Sequence, residues 1–479
     1  MDPSLEVGHA LDVVPAWLRE AVFYQIFPDR FANGDANNDP ANVMLWNSRP
    51  SLNGYFGGDL AGIQKKLDYL VDLGVNALYL NPIFQSAAPH RYHITDYYRI
   101  DPKLGTMQDF LNLLDEVHRR GMRLVLDGVF NHCGRGFFAF NDVLENQAES
   151  PYKDWFHIKR FPVDAFSPGE AEDYLAWWNI KSLPKFNTSN PEVRRYLLDV
   201  ARYWIEQGID GWRLDVPNEI DDDDFWAVFR QVVRNTNPEA ALIGEIWEIN
   251  PRWVGDGHFD GLMNYPVRDA VLDLLKGRTG VVQFADLLDQ VVNAYPWEHT
   301  LAMYNTLGTH DTKRVRTSLD GDLRRVGLAF IFLIAYPGVP AVYYGDEIGM
   351  EGDKDPDSRR TFPWAEELWD TDLRELLKRL IAERKHSKAL QSGTYQRVWM
   401  DESRGGFAFL RCAGEEQVMV IMNSGDTHLT AAIPVGAMGW QNGDRVEDMI
   451  RGGVVEIRGE MMHIDLAEYS GVWLLHKGN

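Results

Sequence analysis

Four short stretches place acids beside basic or amide residues: DGVFNH (127–132), DGWRLD (210–215), GEIWE (244–248) and GTHD (308–311). They supply Asp127, Asn131 and His132, then Arg213 and Asp215, then Glu245 and Trp247, then His310 and Asp311. A lone acid at such a place is ordinarily a helix cap or a solvated turn. Four such ends converging on one mouth imply a reaction centre instead. Several carboxylates, an arginine and two histidines, with no cysteine among them, suit hydrolysis or group transfer at an acetal. That chemistry needs one ionised carboxylate as nucleophile and one protonated carboxyl as acid. The two must differ in pKa, and their surroundings have to impose the difference. On a strand, residues i and i+2 share a side, so Arg213 is expected to face with Asp215 and keep it charged. Glu245 is followed by Trp247, whose apolar ring would help keep Glu245 protonated. Asp127 and Asn131 are read as shaping a strand end. Of the other acids near Asp215, Asp210 belongs to the turn before the strand. Asp221 to Asp224 fit a helix start before Phe225.

Elements able to hold these residues recur as strand then helix. AVFYQIF (21–27), NALYLNPIF (76–84) and MRLVLDGVF (122–130) read as buried strands. Between them run amphipathic stretches. One has Leu60, Ile63, Leu67, Leu70 and Val71 at helical spacing with Gly74 as a stop. The next opens at Thr106, with Asp109 three residues on, close to a capping box. Asn190-Pro191 opens another helix in the favoured order of cap and first turn. DGWRLD, ALIGEIW, LAMYNTLG and AVYYGDE supply later strands, and DGLMNYP a weaker one. Eight strand–helix units over roughly 350 residues predict a parallel (β/α)8 TIM barrel, whose strand C-termini carry the active site. A doubly wound open sheet is the alternative, but no glycine-rich phosphate loop follows the first strand. The barrel is expected over 1–132 and 186–390. Residues 133–185 break the rhythm and read as an inserted subdomain after the third strand. The short alternating runs over 391–479 predict a C-terminal antiparallel β-sandwich.

Composition narrows the function. A net charge of −23 over 479 residues argues against nucleic acid and anionic membrane as partners. No apolar run of about 18 residues predicts a membrane span. The opening MDPSLEVGHALDVVP lacks the basic and apolar regions of a leader, and Cys133 and Cys412 cannot build a disulfide framework. Both point to the cytoplasm, unless a leader has been removed. Aromatics at 12% suit sugar faces, though most aromatics in any protein are core.

The four acidic segments resemble, in order, spacing and residue type, the conserved regions of the α-amylase family of glycoside hydrolases. The likeness extends over barrel, subdomain and sandwich. It implies a retaining double displacement with Asp215 as nucleophile, Glu245 as acid/base and Asp311 as the carboxylate that stabilises the transition state. His132, His310, Arg213 and, within PHRYHITDYY, His90 and Tyr92 resemble residues around the sugar at the cut. Each histidine could instead be satisfied structurally.

SLPKFNTSNPEV (182–193) is similar to a segment of the neopullulanase, cyclomaltodextrinase and maltogenic amylase branch, from which Leu183 and Phe186 depart. The loop at 351–364 resembles one in which an acid and an arginine four apart touch sugars, here Asp355 and Arg359. A loop-anchoring salt bridge is the other reading. Asn218 and Glu219 resemble the branch's acceptor-side pair, with Trp247 also expected in the cleft. Within FANGDANNDP, Asn33, Asp35, Asn38 and Asp39 offer hard oxygen donors suited to Ca²⁺. The resemblance implies a structural calcium site there, completed by Gly57 and Asp59, and no organic cofactor. Asp59 could otherwise cap the helix at Leu60, and Asn/Asp/Gly loops are ordinarily turns.

Members of that branch carry an extra N-terminal domain that is not seen before Ala21 here, so a monomer is the default expectation. The implied activity is hydrolysis of α-1,4-glucosidic bonds in maltooligosaccharides, cyclodextrins, pullulan or starch, with transglycosylation and α-1,6 cleavage in range. The alternative is a 4-α-glucanotransferase or an α-1,6-acting glucosidase of the same family.

Overall fold

The computed structural model describes residues 13–255 and 257–477. Residues 1–12, most of the stretch read as lacking a leader, lie outside the described residues. Eight parallel strands form the centre: β1 (Phe23–Ile26), β2 (Ala77–Leu80), β3 (Arg123–Gly128), β4 (Gly211–Leu214), β5 (Ala241–Gly244), β6 (Gly261–Leu262), β7 (Tyr304–Thr306) and β8 (Val339–Tyr343). Their order is β6-β5-β4-β3-β2-β1-β8-β7. A parallel bridge from Met263, just after β6, to Tyr304 closes the sheet into a barrel. The expected (β/α)8 barrel forms, and the open doubly wound sheet does not.

Two-sided burial explains the near-continuous apolar runs. Alternate residues point inward, where Phe23, Tyr79, Val125, Ile243, Met263 and Tyr304 fill the barrel. Their neighbours Tyr24, Leu78, Leu124 and Leu242 face the surrounding helices. One step beyond the apolar interior, the same inward faces carry Gln25, Asp127 and Arg213, all buried. The alternation that builds the core therefore also builds a polar layer at the strand C-termini.

The helices start where the sequence provides caps. Thr106 and Asp109 make a complete capping box at Met107–Arg119, and Asn190 caps Pro191–Glu206. The helix expected over 60–73 is two pieces, Leu60–Lys65 and Leu67–Leu73, broken where Lys66 leaves helical geometry. Val71, read as part of its apolar stripe, faces solvent. Between 133 and 185 regular structure is limited to Phe138–Asn146 and short turns, packed around Phe140, Phe156 and Tyr174.

The C-terminal strands are β9 (Thr394–Asp401), β10 (Gly406–Ala413), β11 (Glu416–Asn423), β12 (Leu429–Pro434), β13 (Arg445–Asp448), β14 (Val454–Glu456), β15 (Met461–Leu466) and β16 (Ser470–Lys477). Six form one antiparallel sheet, and β12 pairs with β15 as a second layer. Successive residues of β10 serve opposite sides. Ala408 and Leu410 join the sandwich core with Leu429 and Ile433. Phe407 and Phe409 instead meet Phe284 and Phe332 on the barrel's helices. Among the described residues, no helix is long and apolar enough to cross a membrane.

Candidate active site

β3 and β4 pair with Asp127 opposite Arg213, and both side chains point into the barrel mouth. Arg213 Nη1 donates to Asp127 Oδ1 at 2.8 Å and to Asp215 Oδ1 at 2.9 Å. Arg213 Nη2 lies 2.9 Å from Glu245 Oε2, a charge contact off the hydrogen-bonding line. Arg213 therefore serves three carboxylates, the Asp215 that i, i+2 spacing pointed to and two more. Glu245 Oε2 also accepts the backbone N–H of Val216 at 3.0 Å. Val216 adopts φ 35° and ψ 52°, a left-handed conformation that is an outlier for a β-branched residue. That strain aims the N–H after Asp215 at Glu245.

Burial pushes the carboxyls of both Asp215 and Glu245 upward, Glu245 to about 7. Arg213 opposes this at both, but its aligned hydrogen bond goes to Asp215. Trp247 lies flat on Tyr265 at 3.7 Å, half exposed, and Glu245 owes its raised pKa to its own 4% exposure.

Asp311 joins from the end of β7. Its Oδ1 accepts from Arg359 Nη2 at 3.1 Å, and its Oδ2 lies 3.0 Å from His310 Nε2. Burial works against its charge, but the His310 N–H and the Arg359 and Arg213 guanidinium groups outweigh that and hold it below the usual range. His310 is itself kept neutral by burial, its pKa lowered to about 3. The network fixes its tautomer. Gln25 Nε2 approaches His310 Nδ1 at 3.0 Å, so Nδ1 accepts and Nε2 carries the proton. Tyr92 Oη, 2.6 Å from that Nε2, donates in turn to Asp127 Oδ2 at 2.7 Å and accepts from Asn81 Nδ2 at 3.0 Å.

Arg359 links the site to the loop after β8. Besides Asp311, it reaches Asp355 Oδ1 at 3.0 Å and donates from Nε to the His310 carbonyl at 2.9 Å. Arg359 is buried and Asp355 exposed. His90 stacks beside Tyr92 at 5.7 Å. His132 accepts at Nδ1 from Asn131 Nδ2 at 3.2 Å, and the Tyr92 backbone lies beside its buried ring. Burial lowers the pKa of His132 to about 3. Asn218 is exposed, and Glu219 pairs with Lys185 of the inserted segment at 3.3 Å.

Sequence reasoning missed Gln25, Asn81, Tyr79 and Lys185. Gln25 left a signal, as the one amide within the apolar FYQI of β1.

The calcium loop stands apart from this cluster. Asp59 accepts from Gly62 N at 2.6 Å, Gly34 N at 2.9 Å, Asp35 N at 2.8 Å and Asn38 Nδ2 at 3.1 Å. Its lone pairs are filled by helix capping and loop closure. Asp35 Oδ1 turns to Asn37, accepting its N–H at 3.0 Å. Asn33 Nδ2 meets the Asp39 carboxylate at 2.9 Å. A side chain on Gly57 (φ +82°) would strike Asp39 Oδ1, so Gly57 leaves room against that carboxylate. Asn38 Oδ1 is buried without a partner. Among the described residues, no three His, Cys, Asp or Glu side chains gather as a metal set. A cation here would draw on amide and carbonyl oxygens, which fits Ca²⁺.

Comparison with known proteins places this geometry. A model of the α-amylase catalytic domain matches residues 25–417. A cyclomaltodextrinase of Geobacillus thermopakistaniensis is 43% identical over 90% of this chain and 74% of its own length. Neopullulanase 2 of Thermoactinomyces vulgaris is 42% identical over 96% of this chain and 78% of its own. The solved cyclic α-maltosyl-(1→6)-maltose hydrolase of Arthrobacter globiformis, in complex with that ring, superposes with a TM-score of 0.88 at 39% identity, covering 97% of this chain and 100% of its own. On these likenesses over almost its whole length, the chain belongs to the α-amylase family of glycoside hydrolases.

Proposed function

We propose that this enzyme cleaves α-1,4-glucosidic bonds of maltooligosaccharides, cyclodextrins, pullulan or starch by a retaining double displacement. The observation that carries it is the convergence of Asp215, Glu245 and Asp311 around Arg213, with Glu245 pushed up to about 7. The aligned guanidinium hydrogen bond favours the charge on Asp215, leaving the shared proton to Glu245. Asp215 attacks the anomeric carbon while Glu245 gives its proton to the departing glycosidic oxygen. Glu245, now a base, takes a proton from water, which attacks the same carbon and frees Asp215. Asp311, held ionised, faces the positive charge that develops at the ring. His132 and Tyr92 suit sugar hydroxyls and a ring face. Asp215→Asn and Glu245→Gln should each lower turnover at least ~1,000-fold without unfolding the protein. Near-wild-type turnover in either refutes the assignment.

The likeness to an enzyme acting on a ring with α-1,6 links favours a second reading, α-1,6 cleavage or glucanotransfer. Chromatography of products from maltotriose, cyclodextrin and pullulan separates them, because products longer than the substrate require a sugar acceptor. Glu219, four residues after Asp215 and held by Lys185, would bias the α-1,4/α-1,6 ratio.

A structural Ca²⁺ held by Asn33, Asn38, Asp39 and the Gly57 carbonyl, with Asp35 and Asp59 behind them, would tie the 31–40 loop to the helix at Leu60. The orphaned Asn38 oxygen supports it. EDTA should lower the melting temperature and Ca²⁺ restore it. Two unpaired cysteines support residence in the cytoplasm, and a monomer is the simplest state, which sedimentation would test.

A further inference from the structure

We infer that Trp177 and Trp178 of the inserted subdomain form a platform on which a glucosyl unit of the α-glucan stacks, beyond the unit beside His132. The inference rests on the proposed function and extends it outward along the cleft.

Adjacent residues of an extended chain point to opposite sides. Yet the rings of Trp177 and Trp178 stack at 4.4 Å with planes 10° apart. The chain achieves this by turning left-handed twice, at Trp178 (φ 49°) and Asn179 (φ 57°), neither of them glycine. Asn179 tolerates this conformation, but at Trp178 it costs about 1–2 kcal/mol and persists only where surrounding bonds fix it. Here Ile180 N donates to Trp177 O at 3.0 Å and Ala171 N to Asn179 O at 2.8 Å, while Trp177 N donates to Leu183 O at 3.0 Å.

Folding gains little from this arrangement, because Trp178 stays 76% exposed. Among the described residues, Trp178 and Trp247 are the only exposed tryptophans. The other face of Trp177 lies on His132, at 5.6 Å and 22°. Three nearly parallel rings thus run from the buried histidine of the reaction centre out to solvent. A flat apolar face that is strained into place, left uncovered and continuous with the reaction centre matches the C–H face of a pyranose. Leu175 and Ile180, each 39% exposed, flank it.

The test compares the wild type with Trp178→Ala and Trp178→Phe on maltotriose and maltoheptaose. Only the longer chain can span both the cut and the platform. Trp178→Ala should lose ~10-fold in kcat/KM on maltoheptaose, chiefly through KM, and less than ~2-fold on maltotriose. Trp178→Phe should recover most of the loss. Equal losses on both substrates, or none on either, overturn the platform. So does a fall in sedimentation mass with unchanged kinetics, which would make the patch a seat for a second copy. If the wild type cleaves neither sugar, the proposed function fails by itself. Calorimetry with maltoheptaose on Glu245→Gln, with and without Trp178→Ala, then still decides the platform: weaker binding in the double variant supports it and equal binding refutes it.

Discussion

One guanidinium among three carboxylates makes protonation the central variable at the residue scale. Glu245, raised to about 7, should act as acid only while it keeps its proton. The expected kcat/KM profile therefore falls on its alkaline side near pH 7, by about tenfold per unit. A rate still flat at about pH 9 would deny Glu245 the role. The same shift weakens folding as pH rises, since stability from a raised carboxyl pKa is full below its unfolded value and lost through the folded one. Val216 gives a second prediction. Asparagine tolerates its left-handed geometry, so Val216→Asn should raise the melting temperature, relieving about 1 kcal/mol, while its N–H still reaches Glu245. A lower melting temperature would show that the valine side chain matters more than its backbone. Asp215, Arg213, Glu245 and Asp311 were legible because i, i+2 spacing and strand ends place them. The sharing of Arg213 was not, because it depends on the β3–β4 register, which no local pattern encodes.

At the scale of elements, the cap at Asp59 and the proposed calcium loop can be told apart by separate variants. Asp59→Ala removes an N-cap and three other hydrogen bonds and should cost about 1–3 kcal/mol. That loss should persist in EDTA. Asp39→Asn should instead abolish the response of the melting temperature to calcium and leave the helix intact. If Asp59→Ala and wild type melt alike in EDTA, the cap contributes nothing. Thr106 and Asn190 announced their helices from sequence because a cap is a local contact. The inserted subdomain announced little. Its Trp177–Trp178 stack needs two consecutive left-handed residues, which propensity does not foresee. The break at Lys66 was likewise hidden within an unbroken apolar period.

At the scale of the molecule, β10 presents one face to the sandwich core and the other to the barrel. Phe409 is fully buried between Phe332 and Tyr395, so Phe409→Ala should cost about 3–5 kcal/mol. Melting should fall while kcat at moderate temperature holds, because the site lies at the barrel's mouth. A melt unchanged by the substitution would mean that the two bodies stand independently. Near-continuous apolar runs made the barrel legible and alternating ones the sandwich, but their shared face rested on a distant pairing. The strand order also sets a timetable. β1 lies between β2 and β8, and roughly 300 residues separate Ile26 from Val339. At about 5–20 residues per second, the first strand waits some 15–60 s on the ribosome before its second neighbour exists. Until then its open edge is left exposed to mispairing. Nascent chains arrested before Val339 should be cut readily by protease, and resistance at that stage would show that the barrel closes by another route.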